Sequence, residues 1–327
     1  MGKKLVTGGC GFIGSHIVEQ LIKEDHQVCV IDNLSTGRLE NVSKFSDSVE
    51  FIQADIATPG KWMDAFNGVE EVFHIAALAD IVPSIQNPVA YFQSNVTGTL
   101  NVLEASKKAN IKKIIYAASS SCYGITDQTP TPESATIQTE YPYALTKNLG
   151  EQLILHWEKV YGVPAISLRF FNVYGTRSRT SGTYGAVFGV FLAQKIANQP
   201  FTVVGDGTQV RDFVYVEDVA RAAIMASQSS FTGKVYNIGT GTPASVNRIV
   251  EILGGDVVHL PKRPGEPDST HADISAIQKD LGWKPLISIE EGIQRMLEQI
   301  DYWKNAPVWN KDSIAEQTKD WFKYLDK

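Results

Sequence analysis

A short apolar pattern, Lys3-Lys4-Leu5-Val6-Thr7, runs into Gly8-Gly9-Cys10-Gly11-Phe12-Ile13-Gly14-Ser15-His16 and then into an apolar helical run over 17–22. This predicts strand, turn, helix. Further apolar strand patterns at 27–31, 49–54, 69–77 and 111–118 alternate with helix-like segments such as 89–109. Alternation of this kind predicts an α/β fold with a doubly wound parallel sheet. Over 143–160 the apolar residues Leu149, Leu153, Ile154 and Trp157 fall on one helical stripe, and i, i+4 spacing puts Tyr143 and Lys147 on one face.

After Gly175 the character changes. A Gly/Ser/Thr-rich stretch over 176–185 is followed by short apolar strands and by turns carrying Pro243, Pro261, Pro264, Pro267 and Pro285. The expected division is a dinucleotide-binding domain over 1–175, to which some later segments return, and a smaller lobe over 176–327 that mainly binds substrate. The end of the chain, 309–327, reads as an amphipathic helix with Ile314, Trp321, Phe322 and Leu325 as its apolar face. In open α/β sheets the ligand crevice lies at the carboxyl ends of the strands, where the segments 119–124 and 172–175 are expected.

The glycines carry candidate chemistry. Gly8, Gly11 and Gly14 permit a tight turn, a close approach to a pyrophosphate and close helix packing, and the helix start at Phe12 and Ile13 offers unpaired N–H groups and the positive end of a dipole. The strand at 27–31 ends in Asp32, about 20 residues on, where an acid is expected to hold a ribose 2′-hydroxyl; its charge favours NAD over NADP. Tyr143 with Lys147 supplies a second centre. A free phenol titrates near about 10, and a neighbouring ammonium favours the phenolate, so Tyr143 is a candidate acid and base.

With 327 residues and 43% hydrophobic content, the chain can bury a large core. The net charge of −6 gives no basic footprint, which argues against nucleic acid as a partner. Three cysteines, Cys10, Cys29 and Cys122, make no disulfide framework and suit a reducing cytoplasm. No apolar run reaches about 18 residues and the first pattern is a strand, so neither a membrane span nor a signal peptide is expected.

Together with Ala118-Ser119-Ser120-Ser121-Cys122-Tyr123-Gly124, the glycine turn and Tyr143-x-x-x-Lys147 make the chain resemble the extended short-chain dehydrogenase/reductases, and among them the nucleotide-sugar 4-epimerases. The resemblance runs nearly end to end, through Asp55-Ile56, Ala76-Ala77, Asn95, Arg169-Phe170-Phe171-Asn172-Val173-Tyr174-Gly175, Gly205-Asp206-Gly207, Arg211-Asp212-Phe213 and Ala272-Asp273. It implies a Rossmann-like fold, an NAD cofactor, a UDP-sugar substrate, no metal, and a homodimer paired through the helices at 89–109 and 143–160. It further implies Ser119, Tyr143 and Lys147 as catalytic residues, with Lys147 lowering the pKa of Tyr143 and holding the nicotinamide ribose. Asp32 and Asn33 would face the adenosine ribose, Asp55 and Ile56 the adenine, and Ala76, Ala77 and Asn95 the rest of the cofactor. Ser120 and Ser121 would adjoin the sugar, and Asn172, Arg211 and Arg263 the diphosphate.

Departures narrow the subclass. The 4,6-dehydratases of this family carry an Asp-Glu pair where this chain has Ser120-Ser121-Cys122. A 4-epimerase needs no second acid. The third residue before Asp273 is Thr270, where a large aromatic would close the hexose pocket, so UDP-N-acetylglucosamine is expected to enter as well as UDP-glucose. Three alternatives stay open: a UDP-glucuronate 4-epimerase that reads a carboxylate with Arg177 or Arg179, a sugar-nucleotide reductase or dehydratase, and a regulatory member that binds NAD without turnover.

Overall fold

The computed structural model describes residues 2–178 and 187–326. Strands β1 (Lys3–Thr7), β2 (Val28–Asp32), β3 (Val49–Gln53), β4 (Val69–His74), β5 (Lys113–Ser119) and β6 (Ala165–Phe170) form one parallel sheet with the returning strand Lys234–Ile238. From one edge, the order is Lys234–Ile238, β6, β5, β4, β1, β2, β3. The chain direction across the sheet therefore reverses between β1 and β4, and a crevice opens there at the carboxyl ends of the strands.

Every residue of β2 and β5 is buried, as a sheet covered on both faces requires. One face packs on Ile17, Val18 and Leu21 of the helix Phe12–Lys23 and on Val219, Ala220 and Ala223 of the helix Val216–Gln228. The other packs on Val102 and Leu103 of the helix Gly98–Lys108 and on Ile154 of the helix Pro142–Tyr161. Pro142 stands in the first turn of that last helix, where a missing N–H costs nothing, and Gly162 ends it at φ 65°.

A separate apolar cluster, with Phe188, Phe191, Phe201, Phe213 and Trp303 among its members, holds much of the C-terminal half together. Three small strand pairs frame it: Asn172–Tyr174 with Phe213–Tyr215, Phe201–Val204 with Val257–Leu260, and Val210–Arg211 with Ala244–Ser245.

Two elements differ from expectation. The strand expected over 69–77 stops at His74, because Ile75, Ala76 and Ala77 leave the sheet to line the crevice. The helix expected over 89–109 is interrupted: Pro88–Phe92 and Gly98–Lys108 flank a π-helical turn, Gln93–Thr97. No helix among the described residues is long and apolar enough to cross a membrane.

Candidate active site

The glycine turn is built by close approach. Gly8 has φ +70°, and a Cβ there would lie 2.7 Å from the Ala76 nitrogen; a Cβ at Gly14 would lie 2.1 Å from the Gly8 carbonyl oxygen. Only glycine fits either position. Gly11 is the N-cap of the helix Phe12–Lys23 and contributes no side-chain cap, so the first-turn N–H groups remain for a ligand, and the dipole favours an anion there. Gly8, Gly11, Phe12, Ile13 and Gly14 line a cavity of about 340 Å³. This donor set fits the pyrophosphate of a dinucleotide.

Asp32, Asn33, Asp55, Ile56, Ala76 and Ala77 line the same cavity. The Asp32 carboxylate accepts from the Cys10 N–H at 3.0 Å and the Leu34 N–H at 2.8 Å. Burial raises its pKa from the ordinary value, against the pull of those two bonds. Each oxygen keeps acceptor capacity for a ribose hydroxyl. The Asn33 amide donates to Asp55 at 3.3 Å. Residues remote in sequence complete the wall: Tyr302 and Trp309, together with Arg38, whose guanidinium lies 5.2 Å from the Tyr302 ring centre.

Ser119 ends β5 and caps the turn Ser120–Tyr123, accepting from the Ser121 N–H at 3.2 Å. The Tyr143 phenol, in the first turn of the helix Pro142–Tyr161, lies near the Ser119 hydroxyl. One turn further, Lys147 is buried, its ammonium 4.5 Å from the Tyr116 ring centre. Burial pushes the Tyr143 phenol up to about 12, with the nearby Ser119 hydroxyl opposing and the Asp80 charge adding. Burial also brings Lys147 down to about 7, against the Glu151 carboxylate. Glu151 is fixed by the Arg169 guanidinium, 2.6 Å at its shortest, and by the Ser167 hydroxyl at 2.7 Å.

A smaller cavity of about 130 Å³ has Asn172, Arg211, Arg263 and Glu266 among its walls. Arg211 pairs with Glu266 at 2.8 Å and Arg263 reaches the same carboxylate at 3.7 Å. Two guanidinium groups around one carboxylate provide a fork for phosphate oxygens. Thr270 adjoins them: its hydroxyl donates to the Asn172 amide oxygen at 3.1 Å and accepts from the Asp212 N–H at 3.2 Å. It does not cap the helix that follows, which begins at Ser275.

Residues 4–239 match the family described as the NAD dependent epimerase/dehydratase family. The chain belongs to that family. Its relatives include a putative UDP-glucose 4-epimerase of Methanocaldococcus jannaschii, 40% identical over 90% of this chain and 96% of that one. A UDP-glucuronate 4-epimerase of Thermodesulfobacterium geofontis is 36% identical over 96% and 98% of the two chains. Among solved structures, the UDP-N-acetylglucosamine 4-epimerase of Methanobrevibacter ruminantium, in complex with UDP-N-acetylmuramic acid, superposes with a TM-score of 0.85 at 34% identity, covering 91% of this chain and 99% of that one.

This epimerase/dehydratase family member departs from the sequence reading at four places. Lys147 was expected to lower the pKa of Tyr143, yet burial wins and the phenol moves upward, while burial lowers the pKa of Lys147 itself. Asn95 is satisfied by protein: its amide donates to Leu78 O at 2.9 Å and Thr146 Oγ1 at 3.0 Å and accepts from the Leu78 N–H at 2.8 Å. It braces the crevice-lining run after β4. Arg177 is ion-paired with Glu19 and bonded to His16 at 3.1 Å on the cofactor side, whereas Arg179 lies outside the described residues. Tyr141, which the sequence reading missed, stacks on Tyr143; its place just before Pro142 at the helix start was the available signal.

Proposed function

We propose that the protein is an NAD-dependent UDP-hexose 4-epimerase that interconverts UDP-glucose and UDP-galactose, and the N-acetylated pair as well. The observation that carries this reading is the Ser119 hydroxyl beside the Tyr143 phenol with Lys147 one helical turn on, near a Ser120-Ser121-Cys122 segment that holds no carboxylate. NAD, held by the glycine turn, Asp32 and Lys147, would supply the hydride acceptor for C4 of the hexose and the donor for its return to the opposite face. Tyr143 takes the proton of the 4-hydroxyl as that hydride leaves and gives it back on its return. Ser119 holds the 4-oxygen in line with the phenol, and Lys147 holds the nicotinamide ribose. Arg211, Arg263 and Asn172 hold the diphosphate while the 4-keto hexose turns over, so contacts remote from C4 serve the reacting centre. The cofactor lobe is residues 1–175 with its returning segments, and 176–327 mainly serves the substrate.

Incubation with a panel of UDP-hexoses and chromatography of the products tests the reading. Conversion of UDP-glucose and UDP-N-acetylglucosamine is expected; no conversion of either would contradict it. The glucuronate reading draws on a 36% identical relative; of its two offered carboxylate readers, Arg177 is already paired with Glu19 and Arg179 lies outside the described residues.

The quaternary expectation is a homodimer. Val89 and Phe92, with Leu145 on the neighbouring helix Pro142–Tyr161, are large apolar residues left exposed, which suits a partner helix pair. Light scattering should give twice the 36.0 kDa of one chain, and a monomer at micromolar concentration would refute it. Three free, buried cysteines support a cytoplasmic home.

A further inference from the structure

The helix Lys311–Leu325 is more than a surface addition. Asn310 and Ser313 start it with a reciprocal cap, their bonds both 2.9 Å, and Ile314 anchors its first half in the interior. Such an anchor needs no site contacts. Trp321, near the other end, makes several. Its indole N–H donates to the Pro264 carbonyl at 2.7 Å, and the Arg263 guanidinium lies 5.5 Å from its ring centre. Its other neighbour is Tyr141, with ring centres 6.3 Å apart. Tyr141 in turn lies parallel to Tyr143 at 6.5 Å, and Tyr91 meets Tyr143 edge-on at 6.4 Å from the far side. One continuous row of aromatic rings thus runs from the acid/base tyrosine to an arginine of the second cavity.

Asp320, beside Trp321, accepts from the Gln86 amide at 3.0 Å, tying this helix to Ile81–Gln86, which follows the cavity-lining residue Asp80. The helix therefore ties the loop that carries Arg263 to the helix Ile81–Gln86. Two features make the tryptophan more than filler. A buried indole N–H needs an acceptor, and here that acceptor belongs to the residue after Arg263. A cation against its ring holds the guanidinium in one orientation. Tyr141, against the other side of Trp321, joins it to Tyr143 through ring contacts.

We propose that Trp321 is a positioning residue of the sugar-nucleotide site, seating Arg263 for the diphosphate and Tyr141 beside Tyr143, so that the C-terminal helix forms part of the substrate-binding wall. This inference rests on the proposed epimerase reading, in which Arg263 holds the diphosphate. The distance between the anchored diphosphate and C4 is then set partly by a side chain that touches neither. Displacements of about 1 Å at such supports are known to cost large factors in turnover.

The test is calorimetric titration of the NAD-loaded protein with UDP, alongside kinetics with UDP-glucose. Trp321→Phe keeps a ring but removes the N–H, and should weaken UDP binding by about three- to tenfold; Trp321→Ala should weaken it by about ten- to a hundredfold. NAD content should stay at the wild-type level in both. If the alanine variant does not fold, the phenylalanine variant carries the comparison. In a double-mutant cycle, adding Trp321→Phe to Arg263→Ala should cost little further, because the group that Trp321 seats is already gone. UDP affinity within twofold of wild type in the folded Trp321 variants, or a loss fully additive with Arg263→Ala, would overturn the inference. Failure of the unmodified protein to bind UDP would overturn the functional reading, and this inference with it.

Discussion

Tyr143→Phe should lose about 10² to 10⁴ of its turnover with UDP-glucose while keeping its NAD, because general acid/base groups typically contribute that much. The substitution removes one oxygen. The ring stays between Tyr91 and Tyr141, and the glycine turn, on a different element, is unaffected. What disappears is the hydroxyl near Ser119, the only group in this account that accepts the 4-hydroxyl proton. Steady-state kinetics with the purified variant, together with its cofactor absorbance, checks the expectation. Turnover within about threefold of wild type would remove Tyr143 from the chemistry. Loss of NAD would show instead that the phenol supports the cofactor.

The next largest expected effect is on selectivity. Thr270→Tyr should lower kcat/KM for UDP-N-acetylglucosamine relative to UDP-glucose by about ten- to a hundredfold, since overfilling a packed site typically costs about 1 to 3 kcal/mol. The structure adds a refinement. The Thr270 hydroxyl bonds Asn172 and the Asp212 N–H, so its loss is expected to tax both substrates, and the ratio is the informative quantity. Thr270→Val is the control: it removes the hydroxyl without adding a ring, and the ratio should hold. Equal losses on both substrates in the tyrosine variant would show that Thr270 does not gate the acetamido group.

The parts of this site legible in the sequence were those whose geometry is local. Gly8, Gly11 and Gly14 announce a turn because backbone conformation and close approach are properties of a few neighbouring residues. Tyr143 and Lys147 share a helix face through spacing alone. The parts that were not legible depend on distant chain. Nothing near Tyr302 or Trp309 signals that they close the cavity begun by Gly8. The π-helical turn at Gln93–Thr97 goes with a tertiary fit, in which Asn95 bonds Leu78 and Gly98 approaches Ile56 so closely that a Cβ would lie 3.0 Å from its Cγ1. The apolar pattern over 69–77 overran β4 because residues lining a cofactor crevice are as apolar as residues in a sheet. For Tyr143 the neighbouring cation could be read, but the burial that outweighs it could not.

The central claim is that hydride leaves C4 of the hexose and returns to the same carbon within one active site. UDP-glucose carrying deuterium at C4, incubated with the protein as purified and without added cofactor, tests it directly. The account predicts UDP-galactose with the deuterium retained at C4 and no build-up of free NADH. Deuterium lost to solvent, or NADH released in proportion to the sugar consumed, would contradict it.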